Sequence, residues 1–151
     1  MGLRADNLKV HVMIAAWEWG SYLGKDNMKN GIRIRKSSYI RHHAHPTLSG
    51  AKMHGNYINS MMALKEAQDH GFDEVLMLDV EGFVSEGSGE NIFVIKDEVL
   101  YTPHLSSALP GITRDTIFTL AKFLGYKVVE KKISCEDIYK ADEAFFTGTA
   151  A

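Results

Sequence analysis

The pattern of apolar and polar positions along the chain switches repeatedly between the period of a helix and the period of a strand. The clearest helical pattern covers Thr113–Leu124, where apolar residues recur on one face and Gly125 supplies a C-terminal stop. Helices are also predicted over Tyr57–His70 and, as a short element, over Glu136–Ala141. The segment Gly20–Asn30 is polar and contains glycine, which predicts a loop.

Strands are predicted where apolar residues alternate with polar ones or form short runs. In chain order, these segments are Val10–Trp17, Ile32–Arg35, Glu74–Leu78, Asn91–Lys96, Val99–Tyr101, Lys127–Ile133 and Ala144–Phe146. The first contains the most apolar run and is predicted to be buried, and Asp97 and Glu98 are predicted to connect a hairpin. Because strands and helices are interleaved, the predicted class is α/β, or α+β with a mixed sheet, in one domain over 1–151.

Composition and charge restrict the possible partners. The chain has 151 residues, of which 45% are hydrophobic and 24% are charged, as is typical of a soluble globular protein. Its net charge of −2 argues against a nucleic acid or an acidic membrane as the main partner. No apolar run is long enough to span a bilayer, and no apolar signal-peptide core is present. Because Cys135 is also the only cysteine, a reducing cytoplasm is expected.

The first segment with candidate chemistry is Ser49–Tyr57, in which Lys52 lies between small residues and glycines. Little side-chain bulk crowds the amine there, and a lysine amine can attack an aldehyde and hold it covalently. The alternative is an ordinary solvated lysine on the protein surface.

The second segment is Ser85–Asn91, which places Glu86 and Glu90 among glycines directly after a predicted strand. A flat ligand can approach such a turn closely. A pyridine cofactor needs an acidic partner for its ring nitrogen, and a carboxylate at this position can supply one. The alternative is a glycine-rich turn whose acids are solvated.

The third segment, Leu109–Asp115, leads into the clearest predicted helix. Free backbone N–H groups at a helix start form an anion site, Gly111 allows close approach, and Thr113 can add a hydroxyl donor. The alternative is an ordinary N-cap at Thr113, and one residue can serve both purposes. A fourth segment, Thr147–Ala151, has small residues after a strand that can present N–H and hydroxyl groups to a ligand.

Taken together, these segments resemble one protein family. The sequences SGAKMHGNY, DVEGFVSEGSGENIF, SSALPGITRD and FTGTAA occur in the order found in branched-chain amino acid aminotransferases, which are fold type IV enzymes that use pyridoxal 5′-phosphate (PLP). The upstream sequences AAWEWGSYLG and GIRIRKSSYIRHH resemble the same family. The resemblance runs from about Val12 to the last residue, and it implies the large domain of the D-amino acid aminotransferase-like architecture.

The resemblance also implies a role for each matching residue. It implies Lys52 as the Schiff-base lysine, Glu86 as the partner of the pyridine nitrogen and Tyr57 as the partner of the ring hydroxyl oxygen. Arg41 and Glu90 are expected to lie behind these residues. The remaining implied contacts are with the phosphate, by Ile112, Thr113 and Thr149, and with the substrate, by Trp19, Tyr22 and Ala150.

The activity implied by the resemblance is transamination between a branched-chain L-amino acid and 2-oxoglutarate in two half-reactions. Lys52, once displaced by the amino acid, is implied as the general base that moves the Cα proton. The implied partners are amino acid and 2-oxo acid substrates and further copies of the chain, in a homo-oligomer of at least two subunits.

The resemblance covers only part of the family's length. The family's N-terminal small domain is absent from this sequence, and the chain stops just inside the GTAA motif, so a truncated large domain is expected. One alternative is therefore a fragment without catalytic activity that at best binds PLP. Others are a D-amino acid aminotransferase or an aminodeoxychorismate lyase, which share the lysine and the glutamate. The sequences WEWGSYLG and LPGITRD favour the branched-chain enzyme.

Two other classes of function can be argued from the residues. The histidines of Arg41–His45, with His54 nearby, could ligate a metal, but no cysteine or acidic side chain lies at ligand spacing, and no metal is predicted. A basic strip could bind nucleic acid, although the overall acidity argues against it. The residues of that strip are Arg33, Arg35, Lys36, Tyr39 and Arg41.

Overall fold

The structure is a computed structural model that describes residues 6–20, 23–43 and 50–150. Its helices are α1 (Lys25–Asn30), α2 (Tyr57–Asp69), α3 (Ile112–Leu124) and α4 (Cys135–Tyr139), with a 3-10 turn at His54–Asn56. Its strands are β1 (Ile34–Ile40), β2 (Glu74–Leu78), β3 (Val84–Glu86), β4 (Asn91–Lys96), β5 (Val99–Thr102), β6 (Lys127–Glu130) and β7 (Glu143–Thr147). None of the helices in the described part of the chain has the length and apolar character needed to cross a membrane.

The strands form two mixed sheets. In the first sheet, β1 pairs in parallel with β2, and β2 pairs antiparallel with β3. In the second sheet the order is β6-β5-β4-β7, where β5 and β6 are parallel and the other pairs are antiparallel. In each parallel pair, a helix connects the two strands along the sequence, because parallel strands need a long crossover connection. These helices are α2 and α3.

The hairpin predicted around Asp97 and Glu98 is confirmed. These two loop residues connect β4 to β5 and both have positive φ angles, of 49° and 61°. This backbone is that of a tight two-residue turn. Asp142, the residue before β7, holds the turn, because its carboxylate accepts hydrogen bonds from the Asp97 N–H and from Lys96 Nζ, both at 2.9 Å.

Most buried apolar side chains of the described ranges fall in three clusters. The first packs α2 on the first sheet and consists of Ala63, Ala67, Val75 and Met77. The second joins the two sheets and consists of Leu76, Val84, Ile92, Val94 and Ile133. The third lies between the second sheet and α3 and consists of Phe93, Leu100 and Ala121. The core therefore fixes the two sheets to each other at β3 and β4, which flank the glycine-rich turn.

The bounds of several elements were predictable. β2 and β4 have the predicted bounds, and α3 begins one residue before the predicted start. The predicted strand Lys127–Ile133 is wrong in its second half, because β6 ends at Glu130. The chain then leaves the second sheet, and Ile133 is fully buried between the sheets, where its carbonyl accepts a hydrogen bond from the Val84 N–H at 2.8 Å.

The prediction of a buried strand over Val10–Trp17 is wrong. The segment has no strand structure, and Val12 and Ile14 are 88% and 94% exposed. Its apolar residues satisfy the pattern of a strand, but a strand also needs a partner for its backbone groups, and this segment pairs with no strand in the described ranges. The predicted loop over Gly20–Asn30 is wrong in its second half, which forms α1. The helix ends at Asn30, and the following Gly31 caps it with a φ of 76°.

Candidate functional site

A cavity of about 380 Å³ lies where four segments of the chain meet. These segments are the loop with Gly50 and Lys52, the turn 89–91 before β4, residues 109–113 at the start of α3, and residues 147–150 at the end of β7. The candidate residues that line the cavity are Lys52, Ile112, Thr113, Thr149 and Ala150. The fold therefore brings together segments that are far apart in sequence.

Lys52 lies in a turn before α2 that Asn56 holds in place. Asn56 is 7% exposed and donates from Nδ2 to the Ala51 carbonyl at 3.2 Å, and its backbone N–H donates to the Met53 carbonyl at 3.1 Å. Lys52 Nζ lies 5.6 Å from the centre of the Tyr57 ring. Because Tyr57 is the first residue of α2, the helix start fixes the aromatic ring beside the amine.

Glu86 lies one layer behind the cavity wall. Its Oε1 is 2.6 Å from Arg41 Nη2, and its Oε2 accepts a hydrogen bond from the Leu109 N–H at 3.0 Å. Asn91, which lines the cavity, has its Nδ2 3.5 Å from the same oxygen. Burial raises the pKa of Glu86, and Arg41, the Leu109 N–H and Lys52 oppose this rise. The guanidinium holds Glu86 in a charged pair.

Arg41 connects Glu86 to the helix that follows Lys52. It lies directly after β1, is 4% exposed, and donates from Nη1 to Ser60 Oγ on α2 at 2.9 Å. Its backbone N–H donates to the Leu78 carbonyl at the end of β2, at 2.7 Å. One buried side chain therefore fixes α2 relative to Glu86. Because its guanidinium is buried, Arg41 is not part of an exposed basic strip.

Two further carboxylates are buried in the same region. Glu74 is fully buried and accepts hydrogen bonds from the N–H and the hydroxyl of Ser88, at 3.1 and 3.0 Å. Glu90 is 5% exposed, lines the cavity and accepts from the Gly89 N–H at 3.1 Å. Burial raises the pKa of Glu74, and burial together with the charges of Glu74 and Glu86 raises the pKa of Glu90 to about 7. Sequence reasoning missed Glu74, since an acidic residue at a strand start is ordinarily solvated.

The start of α3 is shaped by close packing between Gly111 and Asn91. Gly111 caps α3 without a side-chain hydrogen bond, and Ile112 and Thr113 line the cavity. Asn91 Nδ2 donates to the Leu109 carbonyl at 2.8 Å, and a Cβ on Gly111 would lie 2.2 Å from Asn91 Oδ1. A larger residue at 111 would displace Asn91. First-turn N–H groups that no side chain caps are donors of the kind that binds phosphate groups.

The end of β7 adds a buried hydroxyl to the cavity wall. Thr147 is 6% exposed, and its Oγ1 has no hydrogen-bond partner in the described ranges. A buried polar atom of this kind calls for an explanation, and a ligand group in the cavity would supply one. The sequence motif indicates Thr149, and not Thr147, as the threonine of this segment that contacts a ligand. The burial of Thr147 follows from its pairing with Asn91 across β4 and β7, which no local signal shows.

The other candidate residues do not reach the cavity or fall outside the described residues. Trp19 is 62% exposed, stacks on Trp17 with 5.8 Å between ring centroids, and is not one of the residues that line the cavity. Tyr22 lies outside the described residues, as does His45 of the histidine cluster. In the part of the chain that the structure describes, no three His, Cys, Asp or Glu side chains are grouped so that they could hold a metal ion.

Known proteins of similar sequence and structure are aminotransferases. The chain is 60% identical over 151 residues to a branched-chain-amino-acid aminotransferase of Pseudomonas aeruginosa, an alignment that covers 100% of this chain and 49% of the relative. The crystal structure of the Escherichia coli branched-chain amino acid aminotransferase matches with a TM-score of 0.89 and 50% identity, over 91% of this chain and 45% of that one. The T.th. enzyme of the same name, in a structure with pyridoxamine 5′-phosphate, matches with a TM-score of 0.84 and 48% identity, over 89% and 44%.

These comparisons confirm the predicted fold class, which is the mixed α/β architecture of the fold type IV aminotransferases. The chain spans about half the length of the curated relatives it matches. The family described as amino-transferase class IV matches residues 2–151, which is nearly the whole sequence. The chain therefore belongs to the amino-transferase class IV family.

Proposed function

We propose that this chain is the cofactor-binding large domain of a branched-chain amino acid aminotransferase. The proposed reaction is transamination between leucine, isoleucine or valine and 2-oxoglutarate, with PLP as cofactor and Lys52 as the reacting amine. The observation that carries this proposal is the cavity, whose wall combines Lys52 with the start of α3 and the end of β7 while Glu86 lies directly behind it. The names of the similar proteins support it, and one of them was solved with pyridoxamine 5′-phosphate.

The residues present fit PLP. Its aldehyde requires an amine, its ring nitrogen a carboxylate and its phosphate a set of N–H and hydroxyl donors. Lys52 and the start of α3 in the cavity wall, and the Arg41–Glu86 pair directly behind that wall, would supply these three groups. The Thr147 hydroxyl, which has no hydrogen-bond partner in the ranges that the structure describes, would add one more donor in the same wall. When bound, PLP would supply an aldehyde carbon and an electron-withdrawing ring.

Lys52 is assigned the chemical steps. Its Nζ would hold PLP covalently when the cofactor is bound, and the freed amine would serve as the base that accepts the proton from the substrate Cα. The turn held by Asn56 keeps the amine at the cavity during both steps. Lys52→Ala therefore removes both the covalent attachment and the general base.

Glu86 and Tyr57 are assigned to the ring. Glu86 would hold the ring nitrogen in its protonated form, and Arg41 and the Leu109 N–H fix the carboxylate for that role. Tyr57, whose ring lies beside Lys52 Nζ, is proposed to donate to the ring hydroxyl oxygen. Together, these two residues would hold the ring beside Lys52.

The remaining assignments concern the phosphate and the substrate. Ile112, Thr113 and Thr149 are proposed to bind the phosphate, since all three line the cavity and the α3 start is not capped by a side chain. The Ala150 backbone is proposed to bind the substrate carboxylate. Trp19 and Tyr22 are proposed to contact the apolar substrate side chain, which requires Trp19 to approach the cavity from its exposed position.

A second candidate function is PLP binding without transamination. The cavity favours it, because Lys52 and the start of α3 line one wall, where they could hold the cofactor without turnover. We further propose that the protein acts in the cytoplasm and that it forms a homo-oligomer. Light scattering of the purified protein would test the homo-oligomer. A monomer at micromolar concentration would contradict the oligomer.

The test is an absorption spectrum of the purified protein with added PLP, beside Lys52→Ala. We expect a yellow band in the unchanged protein that survives dialysis and is absent from the variant. Turnover of leucine with 2-oxoglutarate then decides between the two candidates, because only the first predicts glutamate formation. A protein that gains no band at any PLP concentration would contradict both.

A further inference from the structure

The cavity region holds more buried negative charge than buried positive charge. Glu74, Glu86 and Glu90 are 0%, 4% and 5% exposed. The buried arginines of the described ranges are Arg41, which pairs with Glu86, and Arg114, which pairs with Glu130 on β6. An ionised carboxylate without a charged partner is costly to bury, so such a group takes up a proton instead.

The three carboxylates differ in how well their negative charge is compensated. Glu86 has the Arg41 guanidinium at 2.6 Å and the Leu109 N–H at 3.0 Å. Glu74 accepts three hydrogen bonds, two from Ser88 and one from the adjacent N–H of residue 75. Glu90 accepts from the Gly89 N–H at 3.1 Å. Of the three, Glu90 therefore has the weakest compensation, and it also faces the charges of the other two.

The position of Glu90 in the wall is fixed by the turn that precedes it. The Glu90 carbonyl accepts a hydrogen bond from the Gly87 N–H at 2.8 Å, and a Cβ on Gly87 would lie 2.8 Å from Glu90 Oε2. The carboxyl group is thus folded back over the glycines of its own turn. It lines the same cavity as Lys52 and Thr113, where an anionic ligand is expected.

We propose that Glu90 works as a neutral carboxylic acid in the cavity wall, a positioning residue whose proton keeps a second negative charge away from the phosphate-bearing ligand while Glu86 remains ionised. This inference rests on the proposed function for the identity of the ligand. Glu86 lies against the Arg41 guanidinium, whereas Glu90 accepts from the Gly89 N–H, so the negative charge of the two groups is compensated to different degrees. Neighbouring carboxyl groups that differ in this way can have separate roles, one as an anion and one as a neutral acid. The charged groups that act on Glu90 are Glu74 from β2, Glu86 from β3 and, through Glu86, Arg41 and Lys52.

The first arm of the test does not involve the ligand. The carboxyl ¹³C signal of Glu90, assigned by its loss in Glu90→Gln, is followed against pH by NMR of the protein without PLP. We expect a midpoint near pH 7. A midpoint near the ordinary glutamate value of 4.5 would overturn the proposal. In Glu74→Gln, which removes a neighbouring charge, the midpoint moves to lower pH. If Glu90→Gln does not fold, Glu90→Asp, which shifts the same signal, supplies the assignment.

The second arm measures the dissociation constant of PLP for the unchanged protein and for Glu90→Gln between pH 6 and pH 9. The phosphate of PLP ionises in the same way for both proteins, so its effect cancels in the ratio of the two constants. The pH dependence of the ratio then reports the ionisation of Glu90. We expect a ratio near one at pH 6 and about three- to tenfold weaker binding by the unchanged protein at pH 9, as a nearby like charge would cause. A ratio that does not change with pH would show that the protonation of Glu90 has no effect on ligand binding, and it would overturn that part of the proposal. Failure of both proteins to bind PLP contradicts the proposed function, whereas the NMR midpoint still decides whether Glu90 is neutral.

Discussion

The cavity region and the N-terminal segment Leu8–Trp19 depart from the usual relation between polarity and burial in opposite directions. Glu74 and Glu86 are 0% and 4% exposed, whereas Val12 and Ile14 are 88% and 94% exposed. The buried acids accept hydrogen bonds or pair with a guanidinium. The apolar segment has no strand partner in the described ranges. The difference shows that burial follows the availability of partners as much as the polarity of a side chain.

The largest expected effect comes from Arg41→Met, which removes the buried cation from the cavity region. It leaves Glu86 buried without its charged partner and should cost about 3–5 kcal/mol of the free energy of unfolding, measured by urea denaturation. Lys36→Met, at an exposed position of β1, is the matched control and should cost under about 0.5 kcal/mol. In Arg41→Met with Glu86→Gln, part of the loss should be recovered. A single-variant loss below about 1 kcal/mol would falsify the buried pair as described.

The next effect in size is a pH dependence that Glu90 imposes on stability. Its pKa rises from 4.5 to about 7 on folding, so its stabilising contribution is complete below pH 4.5 and is lost as the pH rises to about 7. The loss should reach about 2–3 kcal/mol across that window. The check is the difference in urea unfolding free energy between the unchanged protein and Glu90→Gln at pH 5, 6, 7 and 8. A difference that does not change with pH contradicts the assignment.

A smaller effect is expected from Gly111→Ala, which tests how tightly the polar wall is packed. The new Cβ would lie 2.2 Å from Asn91 Oδ1, so the amide must move and its bond to the Leu109 carbonyl weakens. We expect a loss of about 1–3 kcal/mol in stability, together with weaker PLP binding. Gly89→Ala is the control, since a Cβ there meets no atom within 4 Å. Equal losses in the two variants would show that packing against Asn91 is not the cause.

The smallest effect is predicted on the apolar side of the comparison. Val12→Ser should change the unfolding free energy by less than about 0.5 kcal/mol, because Val12 is 88% exposed. Val94→Ser, at a site 2% exposed in the core, should cost about 2–4 kcal/mol. If Val12→Ser costs as much as Val94→Ser, the N-terminal segment is buried in solution and the comparison fails on that side.

Much of the fold was predictable because its signals are local. α3 has an apolar stripe with a glycine stop, and β2 and β4 are short apolar runs with clear ends. The three candidate segments around Lys52, Gly111 and Thr149 were also found in this way, and the fold brings them to one cavity. In each case, neighbouring residues in the sequence carry the information.

What could not be predicted depends on contacts between distant residues. The pairing of Arg41 with Glu86 and the burial of Glu74 against Ser88 follow from the order of the strands, and no period in the sequence shows them. The mistaken strand over Val10–Trp17 has the same origin, because its pattern is correct and its backbone partner is missing from the described ranges. A hydrophobic pattern shows which face of a segment can be buried. Whether that face is buried depends on the segments that pack against it in the fold.

The parallel pairing of β1 with β2 has a consequence for the kinetics of folding. Ile34 pairs with Glu74, so the loop between these strands contains Arg41, Lys52 and the whole of α2. Non-local parallel pairing forms slowly, because the chain must close this loop before any contact compensates the lost entropy. Arg41 reaches Glu86 only once β3 has joined the same sheet. During refolding, the capacity to bind PLP should therefore appear with the slowest phase, after the helical signal has already recovered.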